Sequence, residues 1–457
     1  MNIIIVGCGN VGCTVAETLV NDKHSIVVVD TDKSKVDLLT DEQDVLGVVG
    51  DGLNYQVLLK AGIEHTDLLI ATMNSDEQNL LCCVMAKRSD RYCRTIARVR
   101  NPVYNTEISY LRRELGLALI INPEYISAAD IARKFQYPDS VTVETFTRGR
   151  IELLHMNVAD NSPLAGITVG TIRNKWKCDV VICAVRRQGE VFIPGQETEL
   201  KAGDELTISA TPKDASAFFK KSKLYEHPIK SCIIVGSGNV GYYLAKRLTD
   251  GGIRTKIVES DIGRCDLMGD EIPRAIIIHG DGTDERLLLR EGLGGVGAFA
   301  ALTGIDEENV LLTNFAMRVS HAKTITKLNR VNYSDILHSI NPENAVFPSI
   351  LTAEYILKYA RAMLDAESSF GNAYEILDGD ATMLEFFVSE ENEVTGMPIS
   401  QLRMRGRTII CAIARDDRMM IPTGRDEIRV GDNVFILTLE KGIRRISDII
   451  GHVNTSM

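Results

Sequence analysis

The sequence lacks the features that mark disulfide-bonded, metal-binding or hydrolytic proteins. Ten cysteines among 457 residues are too few for a disulfide scaffold, and no two of them form a Cys-x-x-Cys pair. The eight histidines are scattered without an HExxH motif, and the chain has neither a Gly-x-Ser-x-Gly elbow nor a Walker lysine motif. We therefore predict reduced cytosolic thiols, no metal site and no catalytic residues, with Cys178 and Cys183 near Trp176 packing rather than reacting.

Long hydrophobic runs and an excess of positive charge are also missing. The longest apolar runs, such as 115–121, are far shorter than the roughly 20 residues that cross a bilayer. The segment Met1–Gly7 reads as a first strand, since it has no basic leader or cleavage site. With 51 Lys and Arg against 62 Asp and Glu, the net charge of -11 disfavours nucleic-acid binding. Any contact with a membrane is expected to be peripheral.

What the chain does contain is an internal duplication. The glycine motif Gly7–Gly12 (GCGNVG) recurs as Gly236–Gly241 (GSGNVG), 229 positions later. Further pairs keep this separation to within one residue: Asp30 with Glu259, Gly50–Gly52 with Gly280–Gly282, and Asp76 with Asp306. Because order and spacing persist over half the chain, we interpret the sequence as two copies of one unit.

A helix predicted near the middle of each copy pairs with its counterpart at a less constant separation. Pro123 pairs with Pro348 at a separation of 225, whereas the tripeptide Asn-Pro-Glu recurs at 122 and 341 with a separation of 219. The first alignment is preferred because it superimposes apolar positions along one helix. These positions are Ile126 on Leu351, Ala128 on Ala353 and Ile131 on Ile356.

Each copy has two parts. The first part alternates short apolar runs with helix-like stretches, which is typical of a parallel sheet buried on both faces. In the first copy the predicted strands are Ile3–Val6, Ile26–Val29, Val48–Val49, Leu68–Ala71, Ile96–Val99 and Leu119–Ile121. The second part, from about 141 to 224, is smaller and indicates a strand, a short helix, a hairpin and a closing strand.

The predicted fold class is therefore α/β. It is a tandem duplication of a Rossmann-like, doubly wound parallel sheet lobe followed by a small α+β lobe. The length agrees with about two to four domains. We place the domains at 1–140, 141–225, 230–368 and 369–457, with a linker between the copies at 211–230.

The two glycine motifs predict nucleotide-binding turns, because each directly follows an apolar strand and opens a helix. The first glycine of such a motif permits a tight turn, and the second lets a pyrophosphate approach the backbone. The third allows the helix and strand to pack closely beside a helix N-terminus that favours the anion.

An acidic residue ends the second strand of each copy. Asp30 and Glu259 each lie 18 residues beyond the last glycine, close to the roughly 20 expected for an acid that accepts from ribose hydroxyls. A carboxylate there also repels a 2′-phosphate, which favours NAD(H) or another adenine nucleotide over NADP, although Lys33 and Lys35 could offset that repulsion. The alternative, an acid on a solvated turn, is less favoured because the acid recurs with the glycines.

Further candidates follow the third, fourth and fifth strands, where the carboxyl ends of parallel strands form a ligand crevice. Asp51 and Asp281 contact adenosine or simply stabilise their turns. Arg98 and Lys327 meet a phosphate or are ordinary surface charges. The predicted nucleotide-binding residues are Gly7, Cys8, Gly9, Asn10, Val11, Gly12, Asp30, Thr31, Asp51, Gly52, Thr72, Met73, Asn74, Arg98, Gly236, Ser237, Gly238, Asn239, Val240, Gly241, Glu259, Asp281, Gly282, Thr303 and Lys327.

The duplicated pattern resembles the regulators of potassium conductance, the RCK family, in the tandem form of the peripheral NAD-binding subunits of Trk potassium uptake systems. The resemblance covers nearly the whole chain. It rests on the two glycine turns with their acids and Gly-Asp-Gly turns, and on small modules that carry Gly166 with 202–206 and Gly396 with 430–434.

This resemblance implies a cytosolic, non-enzymatic protein with RCK N and RCK C lobes that binds NAD+, NADH, ATP or ADP as an effector. It further implies a homo-oligomeric ring on the inner face of the cell membrane, gating an integral-membrane potassium-translocating subunit. The helix after Pro123 or Pro348 would join neighbouring lobes. Differences between the copies, such as Glu259 for Asp30, imply that the second site prefers another ligand or binds more weakly.

Two rival functions remain. The fingerprint itself does not separate a reactant from an effector, so an NAD-dependent oxidoreductase with duplicated Rossmann domains is one alternative. It is disfavoured because the companion lobes, at about 80 residues each, look too small to present a substrate and an acid or base to the nicotinamide. A soluble nucleotide sensor with a non-transport partner is the other alternative.

Overall fold

The computed structural model describes residues 1–22, 24–89, 93–106, 108–138, 140–146, 151–224, 229–330, 344–366, 373–415 and 418–450. Residues 225–228 of the predicted linker at 211–230 lie outside these ranges, as does the second Asn-Pro-Glu at 341–343. The chain forms two compact units, one of residues 1–135 with 229–357 and the other of residues 136–228 with 358–457. Each copy of the repeat therefore contributes one part to each unit.

The first lobe of the first unit is a six-stranded parallel sheet in the order β3-β2-β1-β4-β5-β6. Its strands are β1 (Asn2–Val6), β2 (Ser25–Asp30), β3 (Leu46–Val49), β4 (Leu68–Ala71), β5 (Arg94–Arg98) and β6 (Leu119–Ile121). Its helices are α1 (Asn10–Asn21), α2 (Lys33–Glu42), α3 (Tyr55–Lys60), α4 (Asp76–Ser89), α5 (Pro102–Thr106), α6 (Ile108–Glu114) and α7 (Pro123–Gln136). This is the predicted doubly wound sheet.

The first small lobe belongs to the second unit and is an antiparallel sheet in the order β10-β9-β11-β8-β7. Its strands are β7 (Val141–Phe146), β8 (Ile151–Asn157), β9 (Val180–Arg187), β10 (Glu190–Phe192) and β11 (Glu205–Ala210). Its helices are α8 (Val169–Trp176) and α9 (Pro212–Lys221). Thr211 caps α9 by accepting a hydrogen bond from the backbone N–H of Asp214 at 3.2 Å, so part of the predicted linker is an ordered helix.

The second lobe of the first unit repeats the parallel sheet in the order β14-β13-β12-β15-β16-β17. Its strands are β12 (Ser231–Val235), β13 (Arg254–Glu259), β14 (Ile276–His279), β15 (Ala298–Ala301), β16 (Lys323–Lys327) and β17 (Ala345–Val346). Its helices are α10 (Asn239–Asp250), α11 (Ile262–Glu271), α12 (Glu285–Arg290), α13 (Asp306–Val319) and α14 (Pro348–Ala366). Since α14 begins at Pro348 as α7 begins at Pro123, the preferred alignment of these helices is confirmed.

The second small lobe is again an antiparallel sheet, in the order β18-β19-β22-β20-β21. Its strands are β18 (Ala373–Ile376), β19 (Ala381–Phe387), β20 (Thr408–Arg415), β21 (Arg418–Met420) and β22 (Asn433–Thr438). A 3-10 turn at Ile399–Gln401 follows Gly396, at the position where the first copy has α8. Within the described ranges, no helix of the chain combines the length and apolar character that crossing a bilayer requires.

The two parallel lobes of the first unit share a core. Helix α7 of the first lobe buries Ala128, Ile131 and Phe135 in one apolar cluster with Ile234 and Leu248 of the second lobe. Burial of such side chains contributes about 1.5–3 kcal/mol each. The last helix of the first lobe therefore packs on its neighbour, as the family resemblance implies.

The second unit also has a core to which both copies contribute. Leu153 and Cys183 of the first small lobe cluster with Met383, Cys411 and Phe435 of the second. Burial raises the pKa of the Cys183 thiol well above its usual value, so the group stays neutral and behaves as a small apolar side chain. Cys178 is likewise fully buried, which confirms the packing role predicted for both thiols.

Candidate nucleotide-binding sites

The backbone conformation and the close contacts of each motif leave no room for a side chain on its first and third glycines. Gly7 has a positive φ of 101°, and its N–H donates to the carbonyl of Val29 at 2.8 Å. A Cβ on Gly12 would lie 1.9 Å from the Gly7 carbonyl oxygen, and a Cβ on Gly241 would lie 2.2 Å from that of Gly236. The strand and the following helix therefore touch through backbone atoms, as the fingerprint requires.

The middle glycine of each motif faces open space. A Cβ on Gly9 or on Gly238 would meet no atom within 4 Å. Both residues are the N-caps of twelve-residue helices, α1 and α10, and neither helix has a side-chain hydrogen bond at its cap. The N–H groups of the first helical turn are thus available where an anion would approach. Both turns fit a pyrophosphate.

The acid at the end of the second strand braces the glycine turn. Asp30 accepts hydrogen bonds from the backbone N–H of Cys8 at 2.6 Å and of Asp32 at 2.9 Å. A carboxylate has about four lone-pair sites, so capacity for a ribose hydroxyl remains. Asp30 is therefore not merely an acid on a solvated turn, and its side chain lies beside the turn that would hold the ligand.

Glu259 accepts the same two backbone hydrogen bonds as Asp30 and one more from a side-chain hydroxyl. It accepts from the N–H of Ser237 at 2.9 Å, from the Ser237 hydroxyl at 2.6 Å and from the N–H of Asp261 at 2.9 Å. Burial raises the pKa of Glu259, but these hydrogen bonds to the charged form outweigh burial and lower the pKa overall. The second site therefore presents a carboxylate, like the first.

The Gly-Asp-Gly turns lie against the first strand of each sheet. A Cβ on Gly52 would meet Val6 at 2.2 Å, and a Cβ on Gly282 would meet Val235 at the same distance. Asp51 accepts from the N–H of Leu53 at 2.9 Å. Its counterpart Asp281 accepts from the N–H and the hydroxyl of Thr283, and the backbone hydrogen bond is the main cause of its lowered pKa. These acids stabilise their turns, and a contact with adenosine stays a prediction.

The loop after the fourth strand is held by an asparagine that sequence reasoning missed. Asn79 is fully buried, accepts from the N–H of Met73 at 2.7 Å and donates to the carbonyls of Met73 and Arg98. Asn309 repeats these contacts with Thr303 at 2.8 Å and with Lys327. The two asparagines are 230 positions apart, so the repeat itself contained the signal.

Other predicted residues of this loop bond to the glycine turn, to the segment that follows β5 or within the loop itself. The Thr72 hydroxyl donates to the carbonyl of Gly7 at 2.9 Å, and the carbonyl of Asn74 accepts from the Arg100 guanidinium. In the second copy the Thr303 hydroxyl contacts the backbone of Ile305. The loop therefore closes over the first glycine of the turn.

Arg98 and Lys327 lie at the ends of their strands but are not open to solvent. The Arg98 guanidinium is 3.9 Å from Glu124, and both side chains are less than a fifth exposed. Burial lowers the pKa of Arg98 and that of Lys327, and Glu124 opposes both shifts by its charge. The two cations therefore share an acid within the first unit, and their contact with a phosphate stays a prediction.

The helix that follows the second glycine turn contacts the first lobe. Asn122 donates to the Tyr243 hydroxyl of α10 at 3.1 Å, and the rings of Tyr125 and Tyr243 meet edge to face at 5.4 Å. Arg247 donates to the Tyr125 hydroxyl at 3.1 Å. Burial raises the pKa of Tyr243 to about 12, so its hydroxyl stays protonated. A ligand at the N-terminus of α10 would therefore act on a helix that touches both lobes.

A second contact joins the first glycine turn to the second lobe. The side chain of Asn10 donates to the carbonyl of Asn329 at 3.4 Å, and Asn329 in turn donates to Asp306 at the start of α13. Among the described residues, no group of three or more His, Cys, Asp or Glu side chains is placed to hold a metal ion.

The sheet order, the paired glycine turns and their acids define a protein with two Rossmann-like lobes. The sequence matches the TrkA-N domain family at residues 3–123 and 232–348, and the TrkA-C domain family at residues 153–223 and 383–451. The chain therefore belongs to the tandem TrkA-N/TrkA-C family, and the resemblance inferred from its motifs is confirmed.

Known relatives match over almost their whole length. The chain is 30% identical over 454 residues to the Trk system potassium uptake protein TrkA of Halomonas elongata, covering 98% of each protein. It is 29% identical to the protein of that name from Vibrio alginolyticus, again over 98% of each. Among solved structures, a GsuK channel bound to NAD shares the fold with a TM-score of 0.61 at 20% identity, over 96% of this chain and 76% of that one.

Proposed function

We propose that the protein is a nucleotide-binding regulatory subunit that gates a membrane potassium transporter of the Trk type. The observation that carries the proposal is that two complete glycine turns, each with an open middle glycine and a carboxylate beside it, occur in a chain related to potassium uptake proteins over 98% of its length. The partner would be an integral-membrane potassium-translocating subunit. The protein would bind it from the cytoplasmic face, as a homo-oligomeric ring.

The ligand is proposed to be NAD+ or NADH, with ATP and ADP as the other candidates. The pyrophosphate would lie on Gly9 or Gly238 at the helix N-terminus, and Asp30 or Glu259 would accept from the ribose. The remaining predicted binding residues are proposed to line the same two crevices. These groups bind the adenosine end and the phosphates in the same way whether the nucleotide is a reactant or an effector. The reason to favour an effector over a hydride carrier is the relationship of the chain to potassium uptake proteins.

Regulation requires that the nucleotide bind one conformation more tightly than another, since equal affinity shifts no equilibrium. A difference of about 1–3 kcal/mol is typical of such coupling. The contact of Tyr243 with Asn122 provides a route, because it joins α10, whose N-terminus would hold the phosphate, to the start of α7 in the other lobe. A ligand that shifts α10 would change the packing between lobes, and the transporter would respond to that change.

Calorimetric titration of the full-length protein with NAD+, NADH, NADP+, ATP and ADP tests the proposal. Gly9→Asp and Gly238→Asp are the sharpest variants, since each places a carboxylate where the phosphate would lie and the added Cβ meets no atom within 4 Å. Each is expected to abolish one class of sites. Asp30→Ala and Glu259→Ala are the complementary variants, although each also removes a brace of the turn.

Two further measurements separate the rival functions. Consumption of NADH in the presence of candidate substrates would favour the oxidoreductase, whereas binding without turnover supports the effector. Potassium uptake by cells that lack their own regulatory subunit should be restored by the wild-type protein and altered by Gly9→Asp or Gly238→Asp. If nucleotide binds but uptake is identical with wild type and both variants, the nucleotide sensor with a non-transport partner becomes the better hypothesis.

A further inference from the structure

An arginine lies over the second glycine turn and has no counterpart contact in the first. Arg264, in the first turn of α11, donates from Nε to the Ser237 hydroxyl at 3.1 Å and from Nη2 to the Ser237 carbonyl at 2.5 Å. The Ser237 hydroxyl in turn donates to Glu259 at 2.6 Å. The guanidinium therefore lies next to the carboxylate that is placed to bind the ribose.

In the first copy the residues at the positions of Arg264 and Ser237 make different contacts. Lys35 is the residue 229 positions before Arg264, and its ammonium lies 3.9 Å from the exposed carboxylate of Asp32. Lys33 pairs with Asp37 at 2.5 Å on the surface of the same helix. Cys8 replaces Ser237, and burial, followed by the nearby Cys13 and Asp30, raises the pKa of its thiol to about 12, so it stays neutral. No cation contacts the first turn in the part of the chain that the structure describes.

Arg264 retains unused hydrogen-bonding capacity. A guanidinium has five N–H donors in a planar fork, and only two of them are used by Ser237. The other three have no acceptor among the described residues, and the side chain is exposed at the rim of the turn. A guanidinium in this place can bind a phosphate on the ribose in bidentate fashion, and its charge compensates for the repulsion from Glu259.

We propose that Arg264 makes the second site accept adenine nucleotides with a 2′-phosphate on the ribose as well as those without one, whereas the first site excludes the 2′-phosphate. This inference rests on the proposed function, because it assigns a ligand class to one of the two nucleotide sites. In the first site the charge of Lys35 acts on Cys8, but its ammonium lies beside Asp32 and makes no hydrogen bond to the described residues of the turn. A 2′-phosphate there would therefore meet Asp30 without a guanidinium beside it. Arg264 is thus the residue that determines the specificity of the second site.

The experiment titrates NADH and NADPH into full-length protein in which one turn at a time is blocked. Gly9→Asp leaves only the second site, and in that protein the two dissociation constants are expected to differ by less than about tenfold. Adding Arg264→Ala should weaken NADPH by about 10- to 100-fold and NADH by less than about threefold. The NADPH affinity should also become less dependent on salt when Arg264 is removed.

The matched control is the other blocked protein. Gly238→Asp leaves only the first site, which is expected to bind NADH at least about 100-fold more tightly than NADPH. Adding Lys35→Ala there should change neither constant by more than about threefold, since Lys35 does not contact the turn. Circular dichroism checks that each variant is folded, and Arg264→Gln replaces Arg264→Ala if the latter is not.

The outcomes separate the two proposals. If Arg264→Ala leaves the NADPH/NADH ratio of the second site unchanged, or if it tightens both ligands, Arg264 only covers the turn and the specificity role is overturned while the proposed function stands. If the first site accepts NADPH as readily as the second, the specificity role is overturned as well. If neither blocked protein binds any nucleotide and the wild type also fails to bind, both proposals fall.

Discussion

The two copies of the repeat keep the same backbone but differ in the side chains around it. Both glycine turns have a left-handed first glycine, an open second glycine and a third glycine that touches the first. Around this frame, the first copy has a buried thiol at Cys8, whereas the second has a hydroxyl at Ser237 that links Glu259 to Arg264. The backbone geometry of the turn is thus held constant, while the side chains beside it differ.

The helices that follow the turns differ in the same way. Thr14 and Thr18 of α1 donate to carbonyls of their own helix, at 2.8 and 2.7 Å. Their counterparts 229 positions later are Tyr243 and Arg247, which reach across to the first lobe. At these two positions the helices therefore differ, since α1 bonds to itself while α10 bonds to the other lobe.

The largest expected loss of stability comes from a substitution in the glycine turn that both copies share. Gly12→Ala places a Cβ 1.9 Å from the Gly7 carbonyl oxygen, a backbone atom that has no room to move. We expect it to lower the free energy of unfolding of the first unit by about 5 kcal/mol or more. Gly9→Ala, the control, should cost less than about 1 kcal/mol because its Cβ meets nothing. Urea unfolding followed by circular dichroism measures both, and equal midpoints would contradict the packing role of Gly12.

A second variant makes α7 of the first copy resemble α14 of the second. Phe135 near the end of α7 is 1% exposed, and its counterpart in α14 is the small, buried Ala360. Phe135→Ala should destabilise the protein by about 3–5 kcal/mol because it leaves a cavity between the two parallel lobes. Phe135→Leu should cost only about 1–2 kcal/mol. If Phe135→Ala unfolds like wild type in the same urea titration, α7 does not hold the lobes together.

The smallest expected effect concerns the small lobes. In both copies a buried aspartate is expected to make the free energy of unfolding depend on pH. Asp204 is fully buried, forms two 2.7 Å hydrogen bonds with Arg187 and accepts from the N–H of Lys201, while Asp432 and Arg415 repeat the pair. Burial raises the pKa of Asp204, but these bonds outweigh it, so the folded-state pKa is lowered. Its stabilisation is therefore complete above the unfolded pKa of about 3.9 and is lost as the pH falls through the lower folded value.

Asp204→Asn tests this dependence directly. The variant should lower the free energy of unfolding at pH 7 by about 2–3 kcal/mol and should flatten the loss of stability between about pH 4 and pH 2. Unfolding midpoints measured across this range provide the comparison, and Asp160→Asn, at an exposed position of the same lobe, is the control. If the unfolding midpoint of Asp204→Asn falls with pH as steeply as that of wild type, the Asp204–Arg187 pair does not contribute to the pH dependence of stability.

Most of the fold was predictable from local patterns. The strands predicted at 3–6, 26–29 and 68–71 lie within the observed strands, because continuous runs of Ile, Val and Leu bounded by turns are a strong signal for buried parallel strands. The start of α14 at Pro348 was likewise readable from the repeat. The domain boundaries at 1–140, 141–225, 230–368 and 369–457 stay predictions. The two compact units each combine a part of both copies, so they describe a different level of organisation.

The sequence by itself determined the duplication, the glycine turns and the acids that accompany them, because steric demands on glycine and the length of a strand–helix–strand unit are local properties. Only the tertiary structure decided which groups meet. It brought Arg264 onto Ser237, buried Arg98 beside Glu124 and placed Tyr243 against Asn122. These contacts join residues that are 26 to 121 positions apart, and side-chain direction over such separations depends on packing, which spacing alone does not encode.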